Sequence, residues 1–404
     1  MPTPASDPLK ELSPANREGI YRELLKQRPI YWSSFHAAWV LTRYADVRTI
    51  FYHPDALAPD VLPFLQAASR RGNLDLAGLI TAYSSISFFI RPPQHDAIRR
   101  LLAQAVGSAW RLNLPELLER RADQLLDCAE RDGYIDLASG YGKALALFVI
   151  GFFLGVPDQD LPKMGDLAFG MNALFERNVP SVNSLIALNK CAVALLEYFG
   201  SLIASRRKNP GNDGVSLMVR LADEQLGCSD EQLAGYCAFF FVAAEETTAA
   251  SISGAALLLL EHPALRAQLA RDPSQLAHAA RELLRLVSPV QFVARQMRAD
   301  ILVADQLIRA QERIMLMLGA ANRDPAAFPN PGEIDLSRSG PEPLVFGAGP
   351  YRCIGAQLAT FEVEVAARKL LERPRLRLSS ETPIWIERMN IAPLKWLRAD
   401  FESS

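Results

Sequence analysis

The chain has 404 residues, half of them hydrophobic and 22% charged, with a formal net charge of −2. That balance fits a globular protein with a large core and excludes the strongly basic composition of a nucleic-acid binder. Cys128, Cys191, Cys228, Cys237 and Cys353 are scattered and form no CxxC pair, so neither a disulfide framework nor a zinc site is expected and a reducing cytoplasm fits.

In chain order, "MPTPASDPLKELSPANREG" is polar and proline-rich, with no apolar signal core and no membrane anchor; residues 1–16 read as a poorly ordered tail. A helix is expected from Arg17 to about Pro29. "YWSSFHAAWVLTRYADVRTIF" reads as a strand or two running into a helix, and residues 56–90 as loop-rich and apolar. "HDAIRRLLAQAVG", "NLPELLERRADQLLDCAERDG" and "YGKALALFVIGFFLG" are helical, the last two ending at glycine stop signals. The apolar runs are broken by charges short of the roughly 20 residues that span a bilayer. After Pro289, "QFVARQMRADILVADQLI" and "ERIMLMLGAANRDP" read as short strands, helix resumes at Gly355, and the tail is strand-like. No linker divides the chain, so residues 1–404 are expected to form one mainly α domain with a minor β portion.

Four short patterns stand out. In "PPQHDAIRR", His95 and Arg99 share a helix face, which taken alone reads as a solvated face. "CSDEQLAGYCAFFFVAAEETTAASISGAALLLLEHP" opens with a capping box at Ser229 and Gln232 and is apolar nearly all round, so it should run through the interior. Its middle carries Glu245, Glu246, Thr247 and Thr248, which are costly to bury unless partnered. These acids either meet a solvated groove or arginines, or they handle protons. In "RELLRLVSPV", Glu282 and Arg285 share one face, a spacing common in surface ion pairs. Finally, "FGAGPYRCIG" holds Cys353 among glycines, unlike a buried structural cysteine.

Taken in order, HxxxR, an acid–alcohol pair on a long helix, ExxR and FxxGxxxCxG, the chain resembles the cytochrome P-450 family of heme-thiolate enzymes. The loop motif falls on Phe346, Gly349, Cys353 and Gly355. "FFLGVPDQD" and "ANRDPAAFPNPGEIDLSR" extend the resemblance along nearly the whole chain. It implies the family's single-domain fold, with heme b between the central helix and the loop and Cys353 as axial ligand. A thiolate there is fixed by glycine-permitted turns and favoured by a helix N-terminus. By the same resemblance, His95, Arg99 and Arg295 bind heme propionates, with Tyr351 and Arg352 beside the cysteine and Phe346 shielding the sulfur. Glu282, Arg285 and Arg338 form a structural charge network. Glu246 and Thr247 hold water and deliver protons at the distal face.

Some positions depart from the family pattern. Ala244 stands where glycine is more usual, beside a kink of the helix. Glu245 stands where a small or apolar residue is more frequent. Tyr351 replaces a His or Arg, and Gln311 replaces a turn glycine. Family geometry puts the substrate pocket between Val61–Phe89, "LAFGMNALFERN", Ala243 and Ala244, "VQFVA" and the stretch Met389 to Ile391. Phe169, Met171, Phe175, Val290, Phe292, Val293 and Ile391 are its apolar candidates, and each reads equally well as core. Arg177 or Glu245 is a candidate anchor for a polar substituent.

The resemblance implies a monooxygenase acting on a lipophilic small molecule, such as a terpenoid or polyketide, with dioxygen. Electrons would come from a separate ferredoxin-type donor and its reductase. Arg99, Arg100, Arg111, Arg352 and Arg368 lie near the proximal face. A monomer without a membrane anchor is expected. Desaturation, oxidative coupling, peroxide use and a non-enzymatic heme sensor are the alternatives; the Glu246–Thr247 pair weighs against the last two.

Overall fold

The computed structural model describes residues 7–91, 93–108, 110, 113–172, 181–391 and 393–402. Its axis is the helix Asp230–Glu261, whose 32 residues extend about 48 Å. The Ser229 hydroxyl accepts from the Gln232 N–H at 3.2 Å, and the Gln232 side chain accepts from the Ser229 N–H at 3.0 Å. The reciprocal pair satisfies two donors that a helix start leaves orphaned. At the other end, Pro263 opens the next helix, Pro263–Arg271.

Because this central helix is apolar on all sides, it is wrapped. The helices Ala144–Leu154, Leu161–Met171, Val182–Lys208, Leu276–Val287 and Ala356–Leu371 pack on it, as does the wide turn Leu137–Lys143. Phe153, Leu195, Phe199, Phe241, Ile252, Leu283 and Val363 belong to the resulting core. Two helical stretches, Leu137–Leu154 and Val182–Lys208, are long and apolar enough to cross a membrane by composition, contrary to the sequence expectation. Both lie against the central helix; 67% of the first is buried within the protein, so its apolarity builds the core, whereas only 28% of the second's apolar window is buried.

The β portion lies to one side. Its five-stranded sheet runs Ile30–Ser33, Ala38–Leu41, Arg313–Leu316, Val293–Met297, Ala56–Leu57, antiparallel except between the second and third. A three-stranded sheet joins Tyr134–Asp136, Arg398–Phe401 and Leu376–Leu378. The hairpin Ile384–Trp385 with Leu394–Trp396 projects a turn toward the central helix.

Two expectations are corrected. Residues 7–16 are not a loose tail: Leu9 is fully buried with Tyr21 and Leu24, and Asp7 accepts hydrogen bonds from Tyr31 and Ser33. Residues 56–90 contain the helices Leu62–Gly72 and Ala77–Ser84. Pro63 there opens a helix rather than breaking one, because its missing N–H falls in the first turn, and Asn73 ends it in the left-handed conformation.

Candidate active site

The cysteine loop is built from glycines that turn where other residues cannot. Gly347 and Gly349 have φ of +66° and +69°. A Cβ on Gly349 would lie 2.5 Å from the Phe51 carbonyl oxygen, so the position admits only glycine. The Cys353 N–H donates to the Phe346 carbonyl at 2.9 Å and closes the loop, and the helix Ala356–Leu371 starts three residues on. Cys353 is exposed on one side. The protein enclosing its other sides pushes the thiol pKa up, while the Gly355 N–H, Arg99 and Arg352 oppose that rise.

Cations gather beside this loop. His95 is buried; its Nδ1 lies 2.8 Å from Asp96 and its Nε2 has no hydrogen-bond partner. Its ring centre is 4.5 Å from that of Tyr351. Arg295, on the strand Val293–Met297, lies over Phe51 at 5.3 Å and Tyr351 at 5.8 Å. Burial lowers its pKa to about 10, and among the described residues no carboxylate pairs with it. Arg99 donates to the Arg352 carbonyl at 2.6 Å. Arg91 donates to the Ala58 carbonyl at 3.2 Å and keeps a second, buried nitrogen without a partner. Arg368 pairs with Glu119 at 2.8 Å, so its charge is engaged; Arg111 lies outside the described residues.

The middle of the central helix presents different neighbours on each face. Ala243 is exposed, Ala244 and Thr247 half-buried, Glu245 and Glu246 buried. The helix is unbroken from Asp230 to Glu261 and carries no interruption at Ala244. The Thr247 hydroxyl donates to the Ala243 carbonyl at 2.8 Å. Glu246 meets Arg388, Nη1 to Oε1, at 2.5 Å. Glu245 Oε2 has no hydrogen-bond partner. Burial pushes the Glu245 pKa up to about 7; Lys143 opposes this and Glu246 adds to it.

Val290 and Ile391 are brought together by a β-bridge, with the Gln291 N–H donating to the Asn390 carbonyl at 2.7 Å. Phe169 lies against Arg388. Val293 shares a strand face with Arg295, as period-two alternation requires. Phe292 is a correction: it points the other way and packs with Leu9, Tyr21 and Met315 in a separate small core. Phe175 and Arg177 lie outside the described residues. A small apolar cavity next to the central helix is lined by Tyr83, Ile86, Met171, Leu195, Phe239 and Val242.

Arg285 is fully buried and binds Glu282 through two nitrogens, at 2.8 and 2.9 Å. Arg338 reaches the same carboxylate at 2.9 Å. Arg285 also donates to the carbonyls of Asn322, Pro331 and Glu333, which pins the irregular segment before the cysteine loop.

Sequence reasoning passed over Arg388 and Arg91. Arg388 sits three residues before Ile391 in a tail that reads as strand, and only the hairpin turn carries it to the central helix. Arg91 directly precedes the proline pair of "PPQH", a signal visible in the sequence once His95 is singled out.

These residues fit a heme. A buried, partnerless imidazole nitrogen and a buried arginine without a carboxylate suit the two propionates, and a cysteine exposed on one side beside them suits iron. The fold and the site therefore define a heme-thiolate oxidoreductase. The family profile described as Cytochrome P450 matches residues 187–394. The "Biotin biosynthesis cytochrome P450" of Bacillus subtilis (strain 168) is 30% identical over 367 residues, covering 90% of this chain and 91% of that protein. The "Vitamin D(3) 25-hydroxylase" of Pseudonocardia autotrophica is 33% identical over 344 residues, covering 84% and 82%. Among solved structures, P450BioI in complex with hexadec-9Z-enoic acid ligated acyl carrier protein superposes with a TM-score of 0.87 at 29% identity, covering 96% of this chain and 99% of that one. CalO2 superposes with a TM-score of 0.88 at 26% identity, covering 99% of both chains. The chain belongs to the cytochrome P450 family: it is a heme-dependent monooxygenase whose cofactor is held by a cysteine thiolate.

Proposed function

We propose that Cys353 is that thiolate and that the enzyme oxidises a lipophilic natural-product intermediate, with electrons from a ferredoxin-type donor. The observation that carries the reading is the cysteine loop itself, closed by the Cys353–Phe346 hydrogen bond beside His95 and Arg295, two buried groups poised for carboxylates. Bound heme supplies the activation of dioxygen. The chain's own residues do the rest. His95, Arg99 and Arg295 hold the propionates, with the Tyr351 ring tilted against His95 and Arg352 beside the sulfur. Phe346 shields the sulfur and Gly355 donates its N–H toward it. Thr247 holds a water, and Glu246 takes up and hands on protons.

The pocket candidates Phe169, Ala243, Ala244, Val290, Val293 and Ile391 are apolar, which supports a lipophilic substrate. The names of relatives point the same way, among them vitamin D(3) 25-hydroxylase and a mycinamicin IV hydroxylase/epoxidase. A monomer in the cytoplasm, serving secondary metabolism, completes the reading. Arg100 and Arg352, both exposed, face an acidic donor, whose association weakens with salt because exposed charges are screened over about 10 Å at 0.1 M.

The test is the ferrous carbon monoxide adduct of the reconstituted protein. The wild type gives the red-shifted Soret band of a thiolate ligand, and Cys353→Ser loses it because an alcohol is a poor, mostly protonated donor. Persistence of the band in the mutant would overturn the assignment. A spin-state screen of lipophilic compounds on the wild type then identifies the substrate.

A further inference from the structure

The stretch from Ala58 to Arg91 leaves the body of the protein and returns to it, carrying the helices Leu62–Gly72 and Ala77–Ser84 and the turn Ser87–Phe89. Arg91 closes its root. Nη2 donates to the Ala58 carbonyl at 3.2 Å, and the Arg91 carbonyl accepts from the His95 N–H at 3.0 Å. Strand pairing fixes the other side of the root. Ala56 faces Met297 and Leu57 faces Gln296, so the next antiparallel step brings Ala58 alongside Arg295. Arg91 is thereby held between His95 and the strand that carries Arg295.

The Arg91 guanidinium is only partly used. Its Nη1 is buried and has no hydrogen-bond partner, and among the described residues no carboxylate pairs with it. The buried Nε2 of His95, one helical turn further on, is also without a partner. Two propionates carry two negative charges, which Arg99 and Arg295 match, with His95 as a further donor. Arg91 is one cation more. A buried guanidinium nitrogen is costly to leave unsatisfied, so this position is suited to another anion.

Away from its root the same stretch is apolar. Phe88 meets Phe239 of the central helix edge to face at 5.6 Å, and Phe89 stacks on Tyr83 at 6.1 Å. Tyr83, Ile86 and Phe239 line the apolar cavity beside the central helix. Arg91 follows Phe88 by three residues, so their backbones are at most about 11 Å apart. An apolar wall with a cation at its root matches an apolar molecule that ends in an acid. We propose that Arg91 anchors a carboxylate other than the propionates, so that the substrate is a lipophilic acid whose apolar body lies against Phe88 and the cavity; this rests on the heme-thiolate reading and on the propionate roles of His95, Arg99 and Arg295. The free N–H groups of Nη1 make charge-assisted hydrogen bonds to the acid. No bond forms or breaks at Arg91, which sets specificity and orientation.

The test uses reconstituted ferric holoenzyme as wild type, Arg91→Gln and Arg91→Lys. The carbon monoxide adduct of each checks that the fold and heme site are retained; a wild type without the red-shifted band would sink the heme-thiolate reading itself. Decanoic, dodecanoic, hexadecanoic and abietic acids, each beside its methyl ester, are titrated by spin-state shift and calorimetry. The wild type should bind at least one acid more tightly than its ester, by about 10–100-fold, the range of a hydrogen bond to a charged group. Arg91→Gln should remove that preference while leaving the ester's Kd in place, and Arg91→Lys should keep part of it because the charge remains. A wild type that prefers no acid over its ester, or a preference that survives in Arg91→Gln, overturns the proposal. The reduction potential and the rate of heme transfer to apomyoglobin, both without substrate, separate the other source of a carboxylate. If Arg91→Gln shifts these and leaves the acid preference intact, Arg91 holds a propionate and the substrate need not be an acid.

Discussion

Arg285 and Glu282, three residues apart on one buried helix, meet through two parallel hydrogen bonds, Nε to Oε1 at 2.8 Å and Nη2 to Oε2 at 2.9 Å. With Arg338 on the same carboxylate, this pair anchors the segment that leads into the cysteine loop. Removing Glu282 leaves two buried guanidinium groups without their carboxylate, and removing Arg285 leaves the carboxylate to Arg338 alone and takes a donor from the Asn322, Pro331 and Glu333 carbonyls. Arg285→Met should therefore cost about 3–5 kcal/mol and lower heme retention. Burial alone would raise the Glu282 pKa, but the hydrogen bonds from Arg285 and Arg338 outweigh it and hold the carboxyl below its ordinary value. Its folded pKa thus lies below the unfolded one. The stabilisation is present above the unfolded value of about 4.3 and is lost as pH falls through the folded value. Urea unfolding of wild type and Arg285→Met should show a gap at pH 7 that narrows in acid.

Gln311 has φ of +70° in an exposed turn where its N–H donates to the Met297 carbonyl at 2.7 Å. A side chain in the left-handed region costs about 1–2 kcal/mol, and glycine removes that strain while adding entropy to the unfolded chain. Gln311→Gly should stabilise the protein by about 0.5–1 kcal/mol, seen as a higher urea midpoint at constant slope. An unchanged or lower midpoint would mean that the side chain's contact with Gln296 outweighs the strain.

Glu245 gives the opposite sign from Glu282. Burial raises its folded pKa to about 7, above the unfolded value. Ionising it in place destabilises the fold. This cost is absent below about pH 4.3, grows through the interval up to pH 7 and is constant above, reaching about 4 kcal/mol. Glu245→Gln should therefore match the wild type near pH 4 and be more stable by up to that amount at pH 8. Equal stability at both values would show that Lys143 compensates the charge fully.

Much of the site is legible in the sequence because its parts obey local rules. The capping box at Ser229, the helix-face pairing of Glu282 with Arg285 and the glycine spacing around Cys353 are each set by neighbours within a few residues. What the sequence hides is long-range. Arg388 and Glu246 are 142 residues apart and meet only because a hairpin turn points at a helix. Phe292 sits among apolar neighbours in the sequence, and only strand alternation decides that it faces the small core with Leu9 rather than the side of Arg295. Leu9 looks solvated amid prolines and charges, yet one apolar side chain with a capped turn suffices to bury it.

Thr247 carries the last test. Its hydroxyl donates to the Ala243 carbonyl at 2.8 Å, which orients its lone pairs and leaves them to hold a water. Removing the hydroxyl leaves substrate binding and electron uptake in place, because neither needs the proton. Thr247→Ala should thus bind substrate with a normal spin-state shift and consume reduced nicotinamide through its partners, but release most of the electrons as peroxide. Glu246→Gln keeps the size of the relay acid and removes its proton, so it should slow turnover by about 100-fold, at the low end of general acid catalysis. Glu245→Gln is the control, changing stability more than coupling. If Glu245→Gln diverts electrons to peroxide and Glu246→Gln does not, the relay acid is Glu245, one residue earlier on the helix. Normal product-to-peroxide ratios in Thr247→Ala would place the water on another group, with the neighbouring Thr248 the first to substitute.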